Sequence, residues 1–330
     1  MRRTNPSSRS LAAQVEPDVG NIVFATGGYD HSVKFWHPHD GVCYRTAQHP
    51  ESQVNKLEVT PDKRLVAAAA YQQIRMYEVN SSEPSPVYVF EGISKNVTAV
   101  GFYENGQFMY SGGEDATARI WDLRMGGASQ QCQRLFQVNT PVTSICLHPN
   151  QATLVVADQS GTIYLWDLST DHNEQHIPEP DVSILGIDID PDGAYLAAVS
   201  SKGTCYVWSL SSGVGTSPIT LTPRVKKNAH SRYALKCQFS PDSSLLATTS
   251  ADGTCKIWST ADFSLRNTLK KSPDRWVWDC AFSSDSQFIF TASSDHVARL
   301  WHTEKSDPVR EYRGHTKPVT ALAYNDSNSR

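Results

Sequence analysis

The segment Asp30-His31-Ser32-Val33-Lys34-Phe35-Trp36 sets an aspartate six residues ahead of a tryptophan. The same spacing returns in Asp115 to Trp121, Asp252 to Trp258 and Asp295 to Trp301, and looser copies end at Tyr77, Trp166 and Trp208. These seven aromatic ends, at 36, 77, 121, 166, 208, 258 and 301, lie 41, 44, 45, 42, 50 and 43 residues apart. A period of about 40–45 residues is that of a four-stranded blade repeated around a ring. Each copy has the same internal order. An alternating apolar run such as Val142-Thr143-Ser144-Ile145-Cys146-Leu147 is followed by a turn such as His148-Pro149-Asn150 or Ser240-Pro241-Asp242. A second apolar run such as Leu245-Leu246-Ala247-Thr248 and then the aromatic-ended run complete the unit. Period-two alternation between regularly spaced turns specifies short antiparallel strands, not helices.

The two ends of the chain decide whether the repeat closes. The first copy opens on Ile22-Val23-Phe24-Ala25-Thr26, already the second strand type. The last apolar run, Val319-Thr320-Ala321-Leu322-Ala323-Tyr324, is an opening strand without a blade of its own. The sequence therefore predicts an all-β, seven-bladed propeller over residues 21–327, in which the C-terminal strand completes the N-terminal blade. Closure removes the edges an open array would expose. Residues 1–20 and 328–330 are expected to be disordered tails. A length of 330 residues would by itself suggest about two domains, but the repeat replaces that expectation with a single ring.

Composition narrows the function classes. With 30 Lys plus Arg against 34 Asp plus Glu, the net charge is −4, which offers no footprint for nucleic acid. No apolar run is long enough to suggest a membrane-spanning helix, so direct membrane insertion is not expected. Arg2 and Arg3 are followed by no apolar core, so an export signal is not read and a cytoplasmic protein is expected. The seven cysteines, Cys43, Cys132, Cys146, Cys205, Cys237, Cys255 and Cys280, form no CxxC pair and are odd in number, which speaks against a zinc site or a disulfide framework. Phosphate-binding and nucleophile-elbow motifs are absent from the sequence. His172 and His176, around Glu174, could be read as a metal pair at helical spacing, but they sit in a proline-containing stretch better read as a solvated loop. His37 and His39 flank a proline and read the same way. No catalytic residue, metal site or cofactor is expected.

Two sets of residues stand out from the repeat. His230, Ser250, Asp252 and Trp258 form the one complete set of a His before the opening strand, a Ser in the second strand, a turn Asp and the aromatic end. They are expected to link into a buried polar network. The pair Gly314-His315 faces Gly28 where a Ser would be needed, so that blade is expected to lack the network. The second set concerns binding. Aligned on their Pro-Asp turns, the copies place Gln53, Asn96, Pro141, Ser183, Tyr233, Trp276 and Pro318 just before each opening strand. Asn55, Thr98, Thr143, Leu185, Leu235, Trp278 and Thr320 follow two residues on. Opening strands line the central channel, so both sets belong near one rim. Trp276 and Trp278 are the two tryptophans, of 8, that the repeat does not use. Two residues apart, they share a strand face. With Gln53, Asn55, Asn96, Arg232 and Tyr233 they have the composition of a protein-binding hot spot; packing between blades is the competing expectation.

Several phrases go beyond the generic repeat. They include Gln53-Val54-Asn55, Ile74-Arg75-Met76-Tyr77, Gly112-Gly113-Glu114-Asp115, Ala118-Arg119-Ile120-Trp121-Asp122-Leu123-Arg124, Phe136-Gln137-Val138-Asn139, and Asp171-His172-Asn173-Glu174-Gln175 with Ile177-Pro178-Glu179-Pro180. Over about residues 22–327 the chain resembles the G-beta-like WD-repeat subunits of the target-of-rapamycin (TOR) kinase complexes. The resemblance implies a non-catalytic subunit of both the rapamycin-sensitive and the rapamycin-insensitive complex. It implies binding to the TOR kinase catalytic domain, support of its active conformation, and association with other subunits in growth, nutrient and actin-related signalling. It implies a cytoplasmic location, with endomembranes reached through the complex. A longer N-terminal tail and His176 depart from the family pattern. Trp121-Asp122-Leu123-Arg124 carries a different expectation, a substrate receptor of a cullin ubiquitin ligase that docks through Arg124. A G-protein β subunit would need a long N-terminal coiled-coil helix, which residues 1–20 cannot supply.

Overall fold

The structure, a computed structural model, describes residues 22–49, 52–124, 132–211, 219–272 and 274–327. The two expected tails, 1–20 and 328–330, lie outside the described residues. Twenty-eight strands form seven four-stranded antiparallel sheets, with no helix among the described residues. None of these elements is therefore a helix long and apolar enough to cross a membrane. Blade 1 takes its inner strand, Val319–Asn325, from the far end of the chain and its other three from Val23–Gly28, Ser32–Trp36 and Cys43–Gln48. Blades 2 to 7 follow in chain order, with inner strands Lys56–Val59, Val97–Phe102, Val142–Leu147, Ile184–Ile189, Ala234–Phe239 and Val277–Phe282. Each inner strand contacts the next, and Val319–Asn325 contacts both Lys56–Val59 and Val277–Phe282. The ring is closed.

The core is divided into seven wedges, one between each pair of adjacent blades. Second and third strands are buried on both faces, as Val23–Gly28, Thr117–Asp122 and Thr153–Asp158 show. Outer strands such as Cys132–Gln137 are largely exposed. This gradient explains why the inner runs are apolar and the outer ones polar. The six repeat tryptophans and Tyr77 are all buried. At the seam the chain ends pack tightly: a β-carbon on Gly28 would lie 2.1 Å from the Pro318 carbonyl oxygen, so a glycine is required there.

The polar network is present, but one link differs from expectation. His230 Nδ1 lies 3.0 Å from Asp252 Oδ2, and its Nε2 lies 2.8 Å from Thr248 Oγ1. The Trp258 indole N–H donates to the same Thr248 hydroxyl at 3.0 Å. Thr248 is thus the centre, not Ser250, whose hydroxyl accepts the Asp252 backbone N–H. The register explains the difference. Trp258 stands opposite Leu246, and its indole reaches diagonally to the next residue on the same face, Thr248. The same geometry exists at the seam: Trp36 donates to Thr26 Oγ1 at 2.7 Å, Thr26 pairs with His315 Nε2 at 2.7 Å, and His315 Nδ1 lies 2.8 Å from Asp30 Oδ2. Two blades, not one, carry the complete set, because the relevant position in blade 1 is Thr26 rather than Gly28. In blades 3 and 7 an arginine four residues after the turn Asp replaces the histidine, with Arg119 to Asp115 at 2.9 Å and Arg299 to Asp295 at 2.7 Å.

Thr248→Val keeps the side-chain shape and removes the shared hydroxyl. It is expected to lower the unfolding free energy by about 2–3 kcal/mol, and Ser250→Ala by under about 1 kcal/mol. Urea unfolding of both variants checks this; equal losses would restore Ser250 to the centre.

Candidate protein-binding rim and channel

Six of the seven inner strands begin with a bulge. In blades 3 to 7 the ladder skips Thr98, Thr143, Leu185, Leu235 and Trp278, and in blade 1 it skips Thr320. A bulge re-aims one side chain away from the ladder, here toward the channel mouth. This is the second of the two aligned sets read from the sequence, whose blade 2 member is Asn55. Where the residue at this position is Thr or Asn, it bonds to the next blade. Thr320 Oγ1 donates to Val54 O at 2.6 Å, Asn55 Nδ2 to Val97 O at 3.0 Å, Thr98 Oγ1 to Val142 O at 2.7 Å and Thr143 Oγ1 to Ile184 O at 2.6 Å. These bonds stitch blades 1 to 5. Blades 5 to 7 carry Leu185, Leu235 and Trp278 instead, and the Trp278 indole N–H is buried without a partner.

The first aligned set forms the rim itself. The carbonyls of Pro318, Asn96, Pro141, Ser183, Tyr233 and Trp276 accept backbone N–H bonds from Tyr29, Glu114, Gln159, Ser201, Ala251 and Ser294, at 2.8–3.0 Å. Those six donors each follow a second strand, which places them at the rim, with Ala251 buried there. Tyr29 and Tyr71, which holds the same place in blade 2, are 39% and 48% exposed. The sequence reading followed the Pro-Asp turns and passed over both; counting from the turn Asp would have found Tyr29.

The structure brings Tyr233, Trp276 and Trp278 together. Tyr233 meets Trp276 edge-on, with centroids 6.2 Å apart, and Trp276 lies 4.9 Å from Trp278. Both tryptophans are half-buried, and neither belongs to the wedge between blades 6 and 7, which takes Val277 instead. Arg232 and Tyr233 are exposed. Asn96 donates to Glu114 Oε2 at 3.0 Å, and Gln53 is half-buried beside the mouth. Around the ring, Tyr233, the Trp pair, Tyr29, Gln53 with Tyr71, and Asn96 with Glu114 occupy blades 6, 7, 1, 2 and 3. They form one uninterrupted arc. Blades 4 and 5 present Pro141, Gln159, Ser183 and Ser201.

The arc opens onto a central channel of about 870 Å³ lined by Gln53, Asn55, Asn96 and Trp278 near the mouth. Deeper, Lys56 pairs with Asp279 at 3.1 Å, and Asp188 Oδ2 accepts the Phe239 N–H at 2.7 Å. Burial pushes the Asp188 carboxyl up to about 6, against the pull of Lys236, and burial raises Glu58 as well. For Lys236 burial acts in the lowering direction, but the Asp279 and Asp188 carboxylates outweigh it and hold the ammonium charged. Tyr110 reaches the channel over Gly101, where a β-carbon would collide with its ring. Among the described residues no group of three or more His, Cys, Asp or Glu is placed to hold a metal. Asn173–His176 is an outer strand, not the expected loop, and His176 packs edge-on against Trp208 at 5.3 Å; with His172 just before that extended strand and His176 at its end, the two are not at helical reach. His37 stacks on Tyr44 at 4.6 Å. Arg124 is exposed, with its guanidinium folded back onto Asp122 at 2.6 Å and over the Phe108 ring.

Residues 84–122, 130–167, 173–209, 222–259 and 263–302 match the family described as WD domain, G-beta repeat. Curated relatives match over nearly all or a large part of the chain. The chain is 58% identical over 313 residues to "Target of rapamycin complex subunit LST8" of Bos taurus, covering 93% of this chain and 95% of that protein. It is 49% identical over 310 residues to "Protein LST8 homolog" of Drosophila melanogaster, covering 94% and 98%. It is 43% identical over 225 residues to "Target of rapamycin complex subunit wat1" of Schizosaccharomyces pombe, covering 68% and 70%.

Proposed function

The chain belongs to the LST8 family of WD-repeat proteins, and from that premise we propose that it is a non-catalytic subunit of the TOR kinase complexes. It binds the kinase catalytic domain through the arc of blades 6, 7, 1, 2 and 3 and supports the active conformation of the kinase. It serves both the rapamycin-sensitive and the rapamycin-insensitive complex, in the cytoplasm and, through the complex, at endomembranes. The observation that carries this assignment of the surface is the continuous aromatic and amide arc. Rigid aromatic side chains with a polar border are what concentrate binding energy at protein interfaces. The closed ring holds that arc in a fixed shape, so little ordering cost opposes association.

Affinity purification of the full chain under mild lysis, followed by mass spectrometry, tests the partner. Recovery of TOR kinase is the expected result. Recovery of a cullin adaptor without TOR would overturn the assignment in favour of the ligase receptor.

A further inference from the structure

The chain's positive charge is concentrated on one side of the ring. Residues 220–270 hold eight Lys and Arg against three Asp and no Glu, a local charge of +5 in a chain whose net charge is −4. The outer strand of blade 5, Thr220–Asn228, carries Arg224, Lys226 and Lys227, and that of blade 6, Leu265–Lys270, carries Arg266 and Lys270. All five are exposed. The two arginines stand at equivalent places. Opposite Val207 and Trp208 the blade 5 strand pairs through Val225 and Pro223 and skips Arg224; opposite Ile257 and Trp258 the blade 6 strand pairs through Asn267 and Leu265 and skips Arg266. Each is the extra residue of a bulge, which turns its side chain away from the ladder. The matching bulges in blades 1, 3 and 7 carry Tyr44, Gln133 and Val309 instead.

Few of these charges are compensated. Arg224 donates to Ser209 Oγ at 2.9 Å and Arg266 lies 3.5 Å from Ser259 Oγ, in both blades the hydroxyl just after the aromatic end. Lys227 and Lys256 come together from adjacent blades over one indole, 4.8 and 5.9 Å from the Trp258 ring centroid. Their ammoniums donate to the Phe263 and Ala229 carbonyls. Lys202 and Lys226 share a single carboxylate, Glu179. Among the described residues, Arg224, Lys227, Lys256, Arg266 and Lys270 form no ion pair. Of the three aspartates, Asp252 is engaged by His230 and Asp242 caps the turn after the inner strand of blade 6. Asp262, bonded to Ser264 in the turn before Leu265, is the one that borders the patch.

We propose that the outer wall of blades 5 and 6 is a docking surface for an anionic phospholipid membrane. A row of separated cations held on a rigid wall matches a flat, negatively charged surface, on which each Lys or Arg adds its own share of attraction. Exposed Leu265 beside Arg266 adds an apolar contact at headgroup depth. An acidic peptide fits the wall less well. The free edge of Thr220–Asn228 is interrupted by Pro223, which has no N–H, and by the Arg224 bulge, so it is poorly suited to take up a further strand. The contact is peripheral, and no strand of the ring enters the hydrocarbon. The cations of this wall are not those of the rim arc, so the membrane contact does not depend on where the kinase binds.

The test mixes the folded full chain with large vesicles of phosphatidylcholine, either alone or with about one third phosphatidylserine. Sedimentation with the phosphatidylserine vesicles only, weakening as salt rises, is the expected result. Arg224→Gln combined with Arg266→Gln removes two charges whose bonds are to serine hydroxyls. At about fivefold per charge, the paired variant is expected to bind the vesicles about 25-fold more weakly at an unchanged melting temperature. Arg64→Gln, at an exposed arginine of blade 2, is the control and should leave vesicle binding unchanged. Equal binding by the parent and the paired variant, or equal binding to both kinds of vesicle, would overturn the proposal. Capture of polyglutamate or single-stranded RNA without binding to the vesicles would do the same. The assay contains no TOR kinase, so its failure is separable from failure of the partner assignment.

Discussion

A chain ending at Gly314 is expected to lose cooperative folding altogether. The deleted residues include the whole inner strand of blade 1, which pairs along Val23–Gly28 from Val23 opposite Asn325 to Gly28 opposite Val319. Val319, Ala321, Leu322 and Ala323 are buried and belong to the wedges on both sides of the blade. Full burial of each large apolar side chain contributes about 1.5–3 kcal/mol. Deletion also removes His315, leaving Asp30 and Thr26 without their shared partner. Against a typical total stability of about 5–15 kcal/mol, the combined loss is on the order of the whole. The exposed second strand then becomes an edge open to other chains. Circular dichroism and a urea melt would show a broad or absent transition with aggregation; a wild-type midpoint would refute the role of the seam. Asp30→Ala is the graded version, expected to cost about 2–4 kcal/mol because His315, Ser32 and the Thr316 N–H lose one acceptor. The pH dependence has a definite sign. Burial would raise the Asp30 carboxyl, but its bonds to His315 and Ser32 hold it well below the ordinary range. Its contribution is therefore present above about pH 4, the unfolded value, and fades as pH falls below it. The gap between Asp30→Ala and the parent should narrow under acid.

The blade count was legible because the Asp-to-Trp spacing is locked to strand length: the turn Asp and the aromatic end are six residues apart in every strict copy. The network was only partly legible. Its Ser or Thr lies ten residues before the Trp, as Thr26, Ser111, Thr248 and Thr291 show by bonding Trp36, Trp121, Trp258 and Trp301. Diagonal reach across a ladder follows from register, which a single strand does not reveal. Blades 2, 4 and 5 carry Ala67, Val156 and Ala198 at that place, and no such bond forms there. The rim alignment held in position at six of its seven members, because those carbonyls are fixed by the same backbone bond; in blade 2 the Tyr71 N–H goes to Ser52 Oγ instead. Its bulges were not visible, since an extra residue leaves the apolar alternation nearly unchanged. Asn55 read as a contact residue, although its amide N–H is engaged with the Val97 carbonyl, an inter-blade bond that a single strand's sequence does not reveal.

Trp276→Ala is expected to weaken association with the TOR kinase by about 2 kcal/mol or more, some 30-fold, while the ring stays folded. The fold should tolerate the change. The rim bond at this position runs from the Ser294 N–H to the Trp276 carbonyl and survives any substitution that keeps the backbone, and the indole fills no wedge between blades. What the change removes is the middle of a continuous aromatic surface, since Trp276 touches both Tyr233 and Trp278. Trp278 makes a less clean probe, because it closes the channel mouth where no inter-blade bond exists. Ser201→Ala, on the part of the rim outside the arc, supplies the matched control and should leave binding unchanged. Titration calorimetry with the purified kinase domain, alongside thermal melts, separates the two effects. Equal affinity for Trp276→Ala and the parent, at unchanged melting temperature, would move the contact away from blades 6 and 7. Loss in Tyr29→Ala or Tyr71→Ala alone would then place it on blades 1 and 2, where the exposed tyrosines continue the same arc.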